Sequence, residues 1–219
     1  MKALDLFCCS GGASMGLMQA GFTVTGVDIE PQPRYPFKFI QADAMTFPLD
    51  GFDFIWASPP CQGYSNLTPE HAKGNHEKLI PALREKLIKS GVPYCIENVA
   101  GAKKELINPI MLCGSMFGLR TQRHRYFETS FPLLVPIKCD HSQLPLLVTT
   151  ASKASREKRF KLGIPPKSVK NAPEAYGIDW MDFNGLKEAI PPAYARYIAE
   201  SFKCSEIERK SDDQPTERD

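Results

Sequence analysis

The sequence predicts an α/β fold with an open, mostly parallel sheet and helices on both of its faces. Two observations support this. Short apolar runs typical of buried strands alternate with helical segments through the first half of the chain. The 219 residues, 42% of them hydrophobic and 24% charged, suit one domain of ordinary size with a sizeable core.

The predicted elements follow one another in strand–helix order. Strands are expected at residues 3–7, 22–27, 37–40, 52–57, 93–97 and 125–129. A glycine turn at residues 10–12 leads into a helix that ends near Ala20, and Gly21 stands where a helix-terminating glycine belongs. Further helices are expected at residues 77–90 and 192–202, where apolar residues recur at helical spacing.

The alternation of strands and helices stops between residues 131 and 178, where prolines recur and the apolar residues show neither helical nor strand periodicity. Within this region, residues 151–170 hold seven Lys or Arg and a single acid. The basic residues, called the basic cluster below, are Lys153, Arg156, Lys158, Arg159, Lys161, Lys167 and Lys170. From Lys203 the chain is charged and poor in apolar residues, which predicts a disordered tail.

Charge and cysteine usage limit the classes of function. A net charge of +2 does not by itself mark a nucleic-acid binder, so such binding would need local positive patches. The start does not look like a signal peptide, and no apolar run is long enough to span a membrane. The seven cysteines are therefore expected to be free thiols in a reducing, cytoplasmic compartment, with no membrane partner.

Three features at the ends of consecutive strands predict an adenosine ligand. The first is the turn Cys9-Ser10-Gly11-Gly12, because a strand, a tight turn and a helix form a common nucleotide site. Its spacing differs from the three-glycine dinucleotide pattern. Asp28 ends the next strand and could accept both ribose hydroxyls, and Asp43 could accept from an adenine amino group. Taken singly, each feature is better explained as a plain turn or a capping acid, and only the three together favour an adenosine ligand.

A thiol and a carboxyl group are predicted to face each other at the same sheet edge. Ser58-Pro59-Pro60-Cys61-Gln62 follows the fourth strand, and its prolines stiffen the approach to the cysteine. Glu97 and Asn98 end the next strand. This pairing suits thiolate attack on an electron-poor ring, with the acid protonating or hydrogen-bonding a ring nitrogen.

The segment Gln122-Arg123-His124-Arg125 adds two fixed cations before the last predicted strand. Arginines at this place could hold a phosphate and a base carbonyl. The alternative is a solvated basic turn.

Together these motifs resemble the C5-cytosine DNA methyltransferases over nearly the whole chain. The segments that carry the resemblance occur in the family's order: Asp5-Leu6-Phe7-Cys8-Cys9-Ser10-Gly11-Gly12, Val27-Asp28-Ile29, Ala42-Asp43-Ala44, Ser58-Pro59-Pro60-Cys61-Gln62-Gly63-Tyr64-Ser65, Glu97-Asn98-Val99, Gln122-Arg123-His124-Arg125-Tyr126-Phe127 and Ala189-Ile190-Pro191-Pro192. The element around Cys61, followed by Glu97-Asn98-Val99, is the most specific of them.

The resemblance implies a Rossmann-like methyltransferase fold that uses S-adenosylmethionine and acts on a cytosine flipped out of duplex DNA. Cys61 would add to cytosine C6, and Glu97 would bind the N3 edge and the exocyclic amine. Arg125 would contact the base O2, and Arg123 would hold the backbone or the region of Cys61. The implied cofactor-binding residues are Phe7, Cys9, Ser10, Gly11, Gly12, Asp28, Ile29, Asp43, Ala44 and Pro60.

The same resemblance divides the chain. Residues 1–129 would form the catalytic and cofactor-binding domain, residues 130–179 a short, irregular target-recognition region, residues 180–202 a return helix, and residues 203–219 the disordered tail. The recognition region is as short as in compact phage or prophage members, which predicts a short or relaxed target sequence. We further expect a monomer in a bacterial or phage-infected cytoplasm, and no metal ion.

One departure and two alternatives accompany this interpretation. Lys187-Glu188 stands where the family usually has a Gly-Asn pair before its last apolar-proline stretch. A branch of the family acts on transfer RNA with the same cysteine element, but the Cys-Phe-Thr element typical of that branch is not found here. The other alternative is a catalytically silent cofactor-binding or DNA-binding subunit.

We also expect the basic cluster to contact DNA phosphates, although a solvated basic loop is the commoner outcome for such a segment.

Overall fold

The computed structural model describes residues 1–65, 68, 74, 76–135, 137–143, 145 and 169–212. Its strands are β1 (Lys2–Leu6), β2 (Thr23–Asp28), β3 (Lys38–Gln41), β4 (Phe54–Ala57), β5 (Tyr94–Asn98), β6 (Ile110–Leu112) and β7 (Arg125–Thr129). Its α-helices are α1 (Gly12–Gln19), α2 (Ile80–Ser90), α3 (Ala172–Tyr176), α4 (Phe183–Glu188) and α5 (Pro192–Asp212). Short 3₁₀ turns cover Ala100–Ala102, Gly114–Phe117 and Val169–Asn171.

The strands form a single sheet in the order β3-β2-β1-β4-β5-β7-β6. The five strands from β3 to β5 pair in parallel, whereas β7 runs antiparallel to both β5 and β6. The predicted mostly parallel α/β sheet is confirmed. Because β7 is reversed, its first residue lies at the same edge of the sheet as the carboxyl ends of the parallel strands.

Each face of the sheet carries its own apolar core. Successive residues of β4 point to opposite faces, as the pleat requires. Phe54 and Trp56 join the core beneath α1 and α5, where Phe54 stacks on Phe202 with ring centroids 5.1 Å apart. Ile55 and Ala57 join the core beneath α2. Helices therefore cover both faces, which agrees with the prediction.

Helices α1 and α5 approach each other unusually closely through two glycines. A Cβ at Gly12 would lie 2.3 Å from the carbonyl oxygen of Ile190, and one at Gly16 would lie 2.1 Å from that of Pro192. No side chain fits at such distances. The lack of a side chain at Gly12 and Gly16 is therefore what lets the chain's last long helix pack against its first.

The structure corrects the sequence-based predictions at three places. Strand β6 and the 3₁₀ turn after it were not predicted. Helix α5 continues to Asp212, so the predicted disorder from Lys203 is wrong for residues 203–212, while residues 213–219 lie outside the described part of the chain. Apolar residues near the end of the irregular region form a small core of their own around Tyr176 and Leu186.

Of the basic cluster, only Lys170 lies within the described residues, where it is exposed. The expectation that this cluster contacts DNA is therefore untested by the structure. Among the described residues, no helix combines the length and apolar character that crossing a bilayer requires.

We expect Gly16→Ala to destabilise the protein by about 1–3 kcal/mol, the usual cost of overpacking a close contact. Alanine is the better helix former by about 1 kcal/mol, so a loss of stability would have to come from the contact with α5. Urea unfolding of both proteins measures the change. Gly74→Ala is the control, since a Cβ there meets nothing within 4 Å. Equal stability of the Gly16→Ala and wild-type proteins would contradict the close approach.

Candidate active site

The turn after β1 is held in a strained conformation. Phe7 and Cys9 have positive φ angles of 59° and 44°, which side-chain-bearing residues seldom adopt. Gly11 also has a positive φ angle, of 82°, which glycine adopts without strain because it has no Cβ. The Cys8 N–H donates to the Val27 carbonyl at 3.1 Å, which ties the turn to β2. Such strain persists only where surrounding contacts enforce it, and it is common at ligand sites.

Asp28 organises this turn from the end of β2. Its carboxylate is buried and accepts hydrogen bonds from the backbone N–H groups of Cys9 at 2.9 Å and Glu30 at 3.1 Å. Asp43, at the end of β3, is exposed and accepts from the Met45 N–H at 2.8 Å. Asp43 thus caps a turn and also lines the adjoining cavity.

A cavity of about 430 Å³ opens at the carboxyl ends of the parallel strands. It brings together nearly all the sequence-predicted site residues: Phe7, Cys9, Ser10, Gly12, Asp28, Ile29, Asp43, Ala44, Pro60, Cys61, Glu97, Arg123 and Arg125. Gly11 is the exception, because it lies behind the turn against Tyr35 and Pro36. Ile29 is 64% exposed, an unusual position for a large apolar side chain on a cavity wall.

The loop that carries Cys61 is held at both ends. The Asn98 side-chain amide donates to the Pro59 carbonyl at 2.9 Å, and the Trp56 indole donates to the Ser58 hydroxyl at 2.9 Å. After the cysteine, the Ser65 N–H donates to the Cys61 carbonyl at 2.9 Å and closes a tight turn. These bonds hold the half-buried thiol in the cavity wall.

Glu97 and Arg125 form a buried ion pair beside this thiol. The distance between Arg125 Nε and Glu97 Oε1 is 3.0 Å, and both side chains are largely buried. Burial raises the pKa of Glu97, while the charges of Arg125 and Arg123 oppose that rise. Burial and the charge of Glu97 also raise the pKa of the Cys61 thiol, and Arg125 lowers it. The three groups thus interact electrostatically within one cavity.

Arg123 reaches the opposite wall of the cavity. Its guanidinium donates to the Lys187 carbonyl at 2.6 Å and lies 5.9 Å from the Tyr176 ring centroid. Its own carbonyl accepts from the Tyr194 hydroxyl at 2.5 Å. In this structure Arg123 therefore contacts residues near the end of the described chain, Lys187 and Tyr194.

The structure adds residues that sequence reasoning did not assign to the site. Lys187 and Glu188, which depart from the family's Gly-Asn pair, line the cavity together with Ala189 and Ile190. The Cys9 thiol lies 3.8 Å from the Glu188 carboxylate. The sequence signals for this wall were the motif Ala189-Ile190-Pro191-Pro192 and the departure just before it, and neither was assigned to the site because residues 187–190 lie far along the chain from the other motifs.

Asp5 is a second addition, since it was noted only as part of a motif. Its side chain is 1% exposed and lines the floor of the cavity. One carboxyl oxygen accepts from the Ser14 hydroxyl, which also contacts the Tyr35 hydroxyl at 2.6 Å. The other oxygen is buried and has no hydrogen-bond partner among the described residues. Burial raises the pKa of Asp5 to about 7.

Comparison with known proteins identifies the family. Residues 1–131 match the model of the C-5 cytosine-specific DNA methylase family. This match spans more than half of the chain, and the chain therefore belongs to that family. No curated protein matches the sequence. Members of the family use S-adenosylmethionine as the methyl donor.

Among the solved structures that are similar, the S. pombe protein supports the fold. The S. pombe Dnmt2 methyltransferase is 12% identical with a TM-score of 0.57, over 94% of this chain and 99% of that one. A putative DNA modification methyltransferase from an E. coli prophage is 24% identical with a TM-score of 0.43, over 58% of this chain. Spodoptera frugiperda DNMT2 is 20% identical with a TM-score of 0.42, over 66% of this chain. This chain covers only 45% and 54% of the last two structures.

The raised pKa of Asp5 predicts a pH dependence of stability. The folded-state pKa of about 7 lies above the ordinary value of 3.8, so the folded protein holds a proton that the unfolded chain has lost. Wild type should therefore lose stability as the pH rises from about 4 to about 7, by up to roughly 4 kcal/mol, and then level off.

Asp5→Asn should remove this dependence, because the amide oxygen can still accept from Ser14 but does not titrate. Urea unfolding at several pH values gives the difference in stability between the two proteins. Asp50→Asn, at an exposed position, serves as the control. A difference that stays constant between pH 4 and 7 would show that Asp5 is already ionised in the folded protein at low pH.

Proposed function

We propose that the protein is a DNA (cytosine-5-)-methyltransferase with Cys61 as the covalent nucleophile. The observation that carries this proposal is the convergence of Cys61, Glu97 and Arg125 on one cavity with the predicted cofactor residues. The thiol, the buried carboxyl group and the arginine are the three groups that addition to a cytosine ring needs. The family match supports cytosine C5 as the position that is methylated.

The cavity has a volume usual for a small-molecule site, and its walls offer the groups that S-adenosylmethionine would need. The buried Asp5 oxygen that lacks a partner among the described residues would accept from the ligand's ammonium group. The Asp28 carboxylate would accept from the ribose hydroxyls, and the exposed Ile29 side chain would cover a face of the adenine. Asp43 would accept from the adenine amino group. When bound, this cofactor supplies an electrophilic methyl group.

Cys61 would start the reaction by adding its sulfur to C6 of the flipped cytosine. The C6–S bond forms while the ring's electrons move toward C5, which becomes nucleophilic. Glu97 would stabilise this step by donating a proton or a hydrogen bond at N3, and Arg125 would hold the base O2. After methylation, water at the site would take the C5 proton, the 5,6 double bond would re-form, and the C6–S bond would break to release the Cys61 thiolate.

The electrostatics of the site suit these roles. The raised pKa of Glu97 favours a carboxyl group that can carry the proton N3 requires. A protonated Glu97 would also remove the negative charge that raises the pKa of Cys61, so thiolate formation would become easier. Arg125, which contacts Glu97 at 3.0 Å, is positioned to favour both the thiolate and an electron-rich base oxygen.

DNA is favoured over RNA as the substrate by the family model, whose description is of a DNA methylase. The sequence also lacks the Cys-Phe-Thr element expected of the transfer-RNA branch. A catalytically silent subunit is disfavoured because the nucleophile, the acid and the arginine are all present in one cavity. The basic cluster at residues 153–170 is proposed to supply phosphate contacts, since the net charge of +2 offers little general attraction.

A covalent trap should test the proposal directly. Duplex DNA containing 5-fluorocytosine, incubated with the protein and S-adenosylmethionine, should give a stable protein–DNA adduct, because the C5 fluorine cannot leave as a proton does. Cys61→Ser should give no adduct but still bind the cofactor, because a hydroxyl is too weak a nucleophile to add to C6. Denaturing electrophoresis measures the adduct, and calorimetry measures cofactor binding.

Cys204→Ser, at an exposed position on α5, is the matched control and should form the adduct as wild type does. A 5-fluorocytosine RNA of the same sequence is the parallel substrate. Trapping on RNA alone would replace the DNA assignment with the RNA alternative. No trapping on either, with the cofactor bound, would support the silent subunit.

Glu97→Gln should lower the rate of methyl transfer by about 10²–10⁴-fold, the usual contribution of a general acid. The amide keeps a hydrogen-bonding group in place but has no proton of suitable acidity for N3. Methyl incorporation from labelled cofactor measures the rate, and thermal unfolding checks the fold. Glu200→Gln, on the exposed side of α5, is the control. An unchanged rate for Glu97→Gln would remove the carboxyl group from the mechanism.

A further inference from the structure

A second cluster of reactive side chains lies outside the cavity, at the β6–β7 edge of the sheet. Cys113, His124, Cys139 and His141 place one ligand atom each within 4.8 Å of all the others. Among the described residues, this is the one group of three or more cysteines, histidines and acids that converges in this way. We propose that these four residues bind one structural zinc ion.

The donor set and its spacing match what zinc prefers. Two thiolates and two imidazoles form a closed tetrahedral site, and two thiolates balance the charge of the ion. Zinc–nitrogen bonds of about 2.0–2.1 Å place two tetrahedral nitrogens about 3.3 Å apart. Here the Nε2 atoms of His124 and His141 lie 3.2 Å apart, and the Cys113 sulfur lies 3.3 Å from His141 Nε2.

Hydrogen bonding alone does not account for this arrangement. His141 Nε2 lies within 3.3 Å of both the Cys113 sulfur and His124 Nε2. A neutral ring nitrogen offers either one hydrogen or one lone pair, so it satisfies one of these contacts and not both. A cation among the four atoms would accept a lone pair from every one of them.

The ligands come from three separate parts of the chain. Cys113 follows β6, His124 precedes β7, and Cys139 and His141 lie in the segment after β7. Ser115 supports the cluster, since its hydroxyl lies 3.4 Å from the Cys113 sulfur and accepts from the Asp140 N–H at 3.1 Å. A zinc ion would therefore hold residues 137–143 against the edge of the sheet. These residues lie at the start of the proposed recognition region.

The same ion would support the arginines of the cavity. His124 lies between Arg123 and Arg125 in sequence, and its carbonyl accepts from the Arg125 guanidinium at 2.8 Å. A metal bond to the His124 ring would hold this backbone from the side opposite the cavity. His124 would thus be a positioning residue that acts through Arg125, whose guanidinium it contacts only by its backbone carbonyl.

Metal analysis of the purified full chain tests the proposal. Native mass spectrometry and elemental analysis of protein produced with added zinc should find one zinc per chain. Cys139→Ser and His141→Asn lie in a surface segment and should each lose the ion, whereas Cys204→Ser should keep it. Cobalt added to the metal-free wild type should give the visible absorption of a tetrahedral thiolate site.

The site also predicts a local effect that does not depend on methyltransferase activity. Removing zinc with a chelator should speed hydrogen exchange in the peptide covering residues 137–143, and adding zinc should restore it. Folded wild type that, after reduction and zinc addition, binds no zinc and gives no cobalt spectrum would overturn the proposal. So would a Cys113–Cys139 disulfide that persists under those conditions.

Discussion

The close approach of α1 to α5 is the contact on which the rest of the site depends. With no side chain at Gly12 or Gly16, the backbone of Ile190 and Pro192 packs directly against the first helix. This places residues 187–190 across the cavity from Asp28, although more than 150 residues separate them in the chain. A methyl group at either glycine would push that wall outward and change the cavity's width as well as the stability of the fold.

The reversed strand β7 imposes the second constraint. In a wholly parallel sheet, the residue before a strand lies at the edge opposite the strand ends. Because β7 runs antiparallel to β5, the first residue of β7, Arg125, lies beside the carboxyl end of β5, which carries Glu97. The distance between Arg125 Nε and Glu97 Oε1 is 3.0 Å. Burying such a pair is costly unless both charges remain satisfied. A buried pair of this kind is therefore weak evidence for stabilisation of the fold.

The sequence predicted the parallel sheet, the cavity and most of its lining, because those features follow from local patterns at strand ends. It could not predict β6, whose three residues carry too little periodicity, nor the continuation of α5 through the charged residues to Asp212. The zinc cluster was missed for a related reason. Its ligands have spacings of eleven, fifteen and two residues, which match no compact metal motif, and the fold brings them together from three separate parts of the chain.

The two arginines of the cavity are held from opposite sides. Arg123 is fixed by the Lys187 carbonyl and by the Tyr194 hydroxyl on its own carbonyl, so α5 and the last motif set its position. Arg125 bonds the His124 carbonyl, and the His124 ring points into the metal cluster. The three residues between Thr121 and β7 thus connect the Lys187 and Tyr194 contacts of the cavity to the cluster that contains the His124 ring. A displacement of this segment would move Arg123 and Arg125 together, and with them the ion pair between Arg125 and Glu97.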